Sequence, residues 1–278
     1  MFVVFSFICN FVPFLRNMKA KQVFDALEQY APLPLQDGFD NAGLQIGLTA
    51  EQEVTGALLC LDVTEEVIDE AERLGFNLIV AHHPLLFHGL KSITEDSCVG
   101  RCVIKAIQKG IGVYAAHTNM DNAEGGVNFR IAEKIGLKNL SFLEPKPGEI
   151  FAGSGVIGEL EAPEEDRDFL DRLKELFNIQ CIRCNAMKGR KIQRVALCGG
   201  AGGFLLPQAV ARGADAFLTG EMRYHDYFGY EGELLIAEMG HYESEQYTVD
   251  IFADILGKHF SELKIAKTSY NTNPINYF

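Results

Sequence analysis

The sequence has no cluster of Lys or Arg, and its 25 basic residues are outnumbered by 38 acidic ones, for a formal net charge of -13. A large nucleic-acid footprint needs a basic face, so nucleic acid is not an expected partner. No apolar run reaches the length of a membrane span: Phe2 to Leu15 is strongly apolar but too short. That stretch also lacks the basic n-region and small-residue cleavage site of a signal peptide. Residues 1–18 are therefore expected to be an N-terminal extension, a start-site artefact ahead of the more natural start Met18-Lys19-Ala20-Lys21; a membrane anchor is the other reading. No second CxxC accompanies Cys181-Ile182-Arg183-Cys184, whereas a structural zinc needs four ligands. The seven cysteines are scattered and odd in number, which suits reduced, mostly buried thiols in a cytoplasmic protein. No Gly-Lys-Ser or Gly-Lys-Thr follows the turn Gly199-Gly200-Ala201-Gly202-Gly203, so it is not a P-loop. Close approach to a phosphate is one reading of its glycines; a tight strand-to-helix turn or a subunit contact is the other.

What the chain does have is enough apolar material for a sizeable core, 47% of its 278 residues, as one large domain or two intertwined lobes. It is organised around Leu78-Ile79-Val80-Ala81-His82-His83-Pro84, which reads as a buried strand ending in two histidines. Buried strands belong to parallel sheets covered by helices, and ligands collect beyond their carboxyl ends. The pattern predicts an α/β fold in two similar halves, with mainly parallel sheets facing a shared cleft. The first half is expected over 19–150, a short connecting segment over 151–190 and the second half over 191–278, all in one intertwined unit.

Periodicity predicts helices over Lys19–Tyr30, from Thr64 to about Leu74, over Cys98–Lys109, from the Gly125-Gly126 turn to Ile135 and over Asp166–Phe177. Further helices are expected after the glycine turn as far as Arg212, and from the 241 region as one long helix to about His259. Strands are expected at Val54–Leu61, Gly112–Ala116, Val156–Leu160, Ile179–Arg183, Val195–Cys198, Ala214–Thr219, Leu234–Glu238 and near Leu263–Ala266, with Glu144–Gly148 as a connector. The acidic, amphipathic helix Asp166–Phe177 reads as a solvated face or as an interaction surface. An internal repeat supports the division: a shift of 138 residues lays Ala57–Cys60 on Val195–Cys198, Gly75 on Gly213 and Asn77–Ala81 on Asp215–Thr219. A chance match of short apolar strands is the alternative.

Four strand ends carry chemistry: His82/His83, His117/Asp121, Glu221/His225 and His241/Glu245. The HxxxD and HxxxE spacings put both side chains on one face of a helical turn. Imidazole with carboxylate suits zinc, iron, manganese, nickel or cobalt, and a shared carboxylate can join two cations that activate water for hydrolysis. Carboxylates that merely start helices would explain one such motif but not four. Glu221 and His225 are the candidates for moving protons, or else for orienting ligands. Asp40 and Asn41, in Asp40-Asn41-Ala42-Gly43-Leu44-Gln45-Ile46-Gly47, belong to a tight loop or face the site from behind its ligands.

Together, AHHP (81–84), HTNMD (117–121), TGE-x3-H (219–225), GHYESE (240–245) and DNAGLQIG (40–47) resemble the dinuclear-metal-centre family over residues 19–278. That family is also called NIF-three-like, or GTP cyclohydrolase 1 type 2 homologues. The resemblance implies a paired α/β fold, two divalent metals in a cleft and a toroidal homohexamer. By motif it implies that His83 and Asp121 hold one metal, that His82 and His241 hold the other, and that Glu245 bridges them. His117 is implied as a further ligand or as a partner behind the ligands. About 40 residues separate Phe151 from Lys191, so the chain resembles the short forms without an inserted domain. The implied activity is metal-dependent hydrolysis of a small molecule, with GTP-cyclohydrolase-like ring opening as the named instance. A non-catalytic metal-binding scaffold or metal-handling protein is the alternative.

Overall fold

The computed structural model describes residues 18–148, 151–230 and 232–278. The apolar stretch over 1–17, and the expectation placed on it, lie outside the described residues. In chain order the elements are α1 (Ala20–Tyr30), β1 (Gly43–Ile46), β2 (Ala57–Cys60), α2 (Glu65–Leu74), β3 (Leu78–Ala81), α3 (Cys98–Lys109), β4 (Gly112–Ala115), α4 (Thr118–Asp121) and α5 (Val127–Ile135). There follow β5 (Lys138–Pro145), β6 (Gly153–Glu165), α6 (Asp166–Phe177), β7 (Arg183–Cys184), β8 (Lys191–Cys198), α7 (Leu206–Ala211), β9 (Ala216–Thr219), β10 (Leu235–Glu238), α8 (His241–Glu245), α9 (Thr248–His259) and β11 (Ile265–Lys267).

Local chemistry accounts for the helix ends. Thr64 caps α2 by accepting from Val67 N at 3.3 Å, acidic Glu65 and Glu66 fill the first turn, and Gly75 closes the helix in the left-handed conformation. Ser97 and Gly110 do the same for α3. Pro207 sits in the first turn of α7, where a missing N–H costs nothing.

The strands form two sheets, in the orders β1-β4-β3-β2-β11 and β5-β6-β8-β9-β10-β7. In the first, β4, β3, β2 and β11 run parallel and β1 is an antiparallel edge. The second has a parallel centre, β8-β9-β10, flanked by antiparallel β6 and β7. The internal repeat holds at the level of register: Ala57 pairs with Leu78 in one sheet and Val195 pairs with Ala216 in the other, a constant shift along both strands. The β2-α2-β3 and β8-α7-β9 units are thus copies of one architecture.

Side chains alternate across each strand, so each sheet has two buried faces. Leu58, Cys60, Ile79 and Val113 face α2 and α3, while Leu59, Leu78, Val80 and Tyr114 join the central core. That central core also takes in α1, α5, α6 and α9 and one face of the second sheet, through Val195, Leu197 and Leu218. Ala196, Phe217 and Ile236 on the second sheet's other face pack with Leu206 and Ala209 of α7. Each buried Leu or Ile contributes roughly 1.5–3 kcal/mol.

The sheets do not divide the chain at 150 and 190. β5 and β6 already belong to the second sheet, and β11 returns to the edge of the first beside β2. The expected long helix from 241 is two, α8 and α9, and the expected 179–183 strand pairs only at Arg183 and Cys184. Glu144 and Pro145, expected in a connector, close β5. Among the described residues no helix is long and apolar enough to cross a membrane.

Candidate metal centre

The C-terminal ends of β3, β4, β9 and β10 converge, where open α/β sheets place their ligands. His82 and His83 continue the β3 ladder: their N–H groups donate to Cys60 O at 3.2 Å and Leu61 O at 2.9 Å. His117 and Asp121 flank and end the single turn α4, and His241 and Glu245 open and close the single turn α8. In both turns the i, i+4 spacing turns imidazole and carboxylate to the same side.

Four imidazoles of the cluster are anchored through Nδ1. His82 Nδ1 donates to Ala116 O at 2.9 Å, His83 Nδ1 bonds Asp62 Oδ1 at 2.7 Å, and His117 Nδ1 bonds Asp40 Oδ1 at 2.7 Å. His241 Nδ1 lies 3.2 Å from Glu221 Oε2. Holding the proton on Nδ1 leaves Nε2 as the free donor atom. Glu245 Oε2 is 2.9 Å from His83 Nε2 and 3.1 Å from His241 Nε2. His82 Nε2 stands apart: it is fully buried and has no hydrogen-bond partner, with Asp121 Oδ1 and Glu245 Oε2 each 3.7 Å away. A buried, unpartnered nitrogen facing two carboxylates is costly in a protein interior and is what a cation between them would satisfy.

The donor atoms fall within 4.8 Å of one another as His82/Asp121/Glu245, His83/His241/Glu245 and His82/His83/His117. These groupings set Asp121 beside His82 and His241 beside His83, where the family resemblance implies Asp121 with His83 and His241 with His82. The reason is rotamer direction. His82 and His83 are successive residues at a strand end, so their rings leave to different sides, and the buried one meets α4. Glu245 is common to both carboxylate groupings.

The electrostatics are those of a site short of positive charge. Burial and the neighbouring Glu245 push the Asp121 carboxyl well above its usual range. Burial would do the same to Glu245, but hydrogen bonds from His241 and His83, with the His82 imidazole nearby, outweigh it and hold Glu245 well below that range. Burial lowers His82. It also opposes the charge on His83, yet hydrogen bonds to Asp62 and Glu245 raise that imidazole to about 10. Behind the ligands, Asp40 overcomes its burial through His117 and Thr118 and is held down to about 2.

The glycine turn after β8 supports this cluster. Gly200 has φ +58°, and a Cβ there would stand 2.3 Å from Glu245 Oε1. Gly200 O accepts from Gly220 N and Glu221 N, both at 2.9 Å. Of the two readings of these glycines, the tight turn is the one the packing accounts for. Asn128 ties it to the other half of the site: its Nδ2 donates to Asp121 O at 3.1 Å and its Oδ1 accepts from Gly199 N at 2.9 Å.

Of the residues singled out in the sequence, His82, His83, His117, Asp121, His241 and Glu245 are brought together. Glu221 reaches only His241, and its side chain is exposed. His225 lies outside the donor groups, packed against Tyr224 and Phe228 beside a neighbouring cavity. His88 stacks edge-on against Phe87. Asp40 stands behind His117, whereas Asn41 is used on the loop, donating to Leu86 O at 2.7 Å. Asp62, Asn128 and Thr272, whose Oγ1 donates to Asp62 Oδ2 at 2.9 Å, were not singled out. For Asp62 a signal existed, since it too follows a strand.

The cluster lines a cavity of about 430 Å³, within the range of small-molecule sites.

Comparison with known proteins places this geometry in context. The family model described as Duf34/NIF3 (NGG1p interacting factor 3) matches residues 18–274. A Clostridium perfringens protein named GTP cyclohydrolase 1 type 2 homolog is 36% identical over 229 residues, covering 82% of this chain and 87% of its own. A Lactococcus lactis protein of the same name is 32% identical over 263 residues, covering 92% of this chain and 98% of its own. The crystal structure of a Staphylococcus aureus protein superposes with a TM-score of 0.86 at 28% identity, covering 94% of this chain and 99% of that one. A Bacillus cereus protein related to NIF3 superposes with a TM-score of 0.87 at 25% identity, covering 95% of this chain and 100% of that one.

Proposed function

The chain belongs to the Duf34/NIF3 family, and from that membership together with the donor cluster we propose a dinuclear divalent-metal protein acting as a metal-dependent hydrolase on a small molecule. The observation that carries this reading is the buried, unpartnered His82 Nε2 facing Asp121 and Glu245. In this reading His82, Asp121 and Glu245 hold one cation, and His83, His241 and the shared Glu245 hold the other, with His117 beside both. The mixed imidazole–carboxylate set suits zinc, iron, manganese, nickel or cobalt. When bound, two such cations supply Lewis acidity and lower the pKa of water. The chain's own residues prepare the site: Asp62, Asp40, Glu221 and Ala116 O fix the imidazole tautomers, and Gly200 lets the turn close on Glu245. Glu221 acts here by orienting His241, and His225 takes no part at the cluster. The relatives' name makes hydrolytic ring opening of a purine nucleotide the first reaction to assay. A cytoplasmic toroidal homohexamer is part of the same proposal, and light scattering tests the assembly.

The test is metal content by mass spectrometry on anaerobically purified protein, wild type against His83→Ala and Glu245→Ala, followed by a substrate screen with the metal found. About two metals per chain, lost in the variants, with turnover that disappears in Glu245→Ala, is the expected result. No metal bound or taken up would overturn the site. Two metals without any turnover would favour the scaffold reading.

A further inference from the structure

Three phenylalanine rings stand in solvent where the cleft opens. Phe39 is 68% exposed, Phe204 59% and Phe87 37%. All three line the cavity that also holds His83, His117 and Glu245. They come from three separate segments: the loop before β1, the loop after β3 and the turn after β8. Phe39 meets Phe87 edge-on with ring centroids 6.3 Å apart, and Phe87 meets the His117 ring edge-on at 5.9 Å. Large apolar side chains left in water beside a polar cleft mark a binding surface. Hydrogen-bonding groups line the same cavity: Asn122 Nδ2 donates to Asp37 Oδ1 at 3.2 Å, and Ser154 Oγ donates to Asn122 Oδ1 at 3.0 Å. Among the described residues lining the cavity none is Lys or Arg. Lys146, which contacts Asp37, is not among them and also donates to Leu35 O.

We propose that Phe39, Phe87 and Phe204 form an aromatic clamp that stacks a planar heteroaromatic ring of the substrate beside the donor cluster, so that the cleft recognises the substrate by its ring. Every heterocyclic base offers a π-face to such rings, and the polar edge of that base meets the Asp37, Asn122 and Ser154 side of the cavity. The clamp rests on the reading of the cluster as the reacting centre.

Calorimetric titration of the metal-loaded full-length protein tests it, with guanosine, adenosine and uridine set against ribose 5-phosphate. At least one nucleoside is expected to bind, and binding of ribose 5-phosphate, which has no base, is expected to be unchanged by loss of the rings. Phe39→Leu, Phe87→Leu and Phe204→Leu are each expected to weaken that nucleoside about fivefold or more. Phe39→Tyr, which keeps a ring, retains binding. No nucleoside binding, or leucine variants that bind nucleoside like wild type, would each overturn the clamp. Leucine variants with unchanged nucleoside affinity but a smaller mass by light scattering would assign the rings to contacts between copies instead. Because binding is read without turnover, clamp-dependent binding in an inactive protein would sink the hydrolase and leave the clamp. Turnover of a ring-free ester, unaffected in the leucine variants, would do the reverse.

Discussion

Each imidazole of the cluster has its proton placed by what holds Nδ1, and this sets how the site answers pH. Asp62 and Glu245 overcome the burial of His83 and raise its imidazole to about 10. Metal uptake near neutral pH must displace the proton it holds. Calorimetric titration with zinc in two buffers of different ionisation enthalpy is expected to show release of about one proton or more, with affinity rising as pH rises. Asp40 works in the opposite direction. Its carboxyl falls from 3.8 to about 2 on folding, against its burial, through His117 and Thr118. The folded pKa is depressed, so the stabilisation, about 2 kcal/mol, is complete above the unfolded value and is lost as pH falls through the folded one. Urea unfolding at about pH 5 and about pH 3 should show wild type losing more stability than Asp40→Asn over that interval. An equal loss in both would remove this role for Asp40.

At the scale of elements, two glycines of equal backbone strain separate conformation from crowding. Gly200 and Gly213 both have positive φ, +58° and +67°, but a Cβ at Gly200 meets Glu245 while at Gly213 it meets nothing within 4 Å. Gly213→Ala is expected to cost about 1 kcal/mol with metal content intact. Gly200→Ala should cost more and lose metal, as thermal melts and mass spectrometry would show; matching behaviour would deny the turn its part in the site. The same scale explains what was legible in the sequence. Helices α2 and α3 carry side-chain caps, periodicity and glycine stops that agree, and α6 carries periodicity and an acidic first turn, so all three are legible in the sequence. β5 was not: much of this antiparallel edge strand is exposed, with Phe142 and Leu143 its buried apolar pair, so alternation is too brief to see. β6 runs on past Leu160 through the polar stretch Glu161–Glu165, which carries no apolar period. At the site, residue types at strand ends are readable in the sequence. His117/Asp121 and His241/Glu245 lie on helical turns, whereas Glu221 precedes the short 3-10 turn Tyr224–Tyr227 that carries His225. The grouping of the donor atoms is illegible for another reason: it depends on ring directions and on where two sheets meet.

Across the whole molecule, the last strand brings the chain back from the second sheet to the first. β11 adds to β2, and the residues after it bind α2: the buried Glu70 carboxylate accepts from Thr268 Oγ1 at 2.6 Å and from Ser269 Oγ at 2.6 Å. Glu70→Gln weakens charge-assisted acceptors in a buried place and is expected to cost roughly 1–3 kcal/mol. Urea denaturation measures it, and a change within about 0.5 kcal/mol would show the tail to be a passive strand. Beyond this clasp the chain continues to Thr272, which donates to Asp62 and so braces His83 from behind.

This reach has a consequence for synthesis. His82, His83, His117 and Asp121 leave the ribosome long before His241 and Glu245, and the brace on Asp62 comes later still. An emerging chain can expose half of the donor set, but the cluster closes only once Glu245 has been made, and the brace on Asp62 only once residue 272 has.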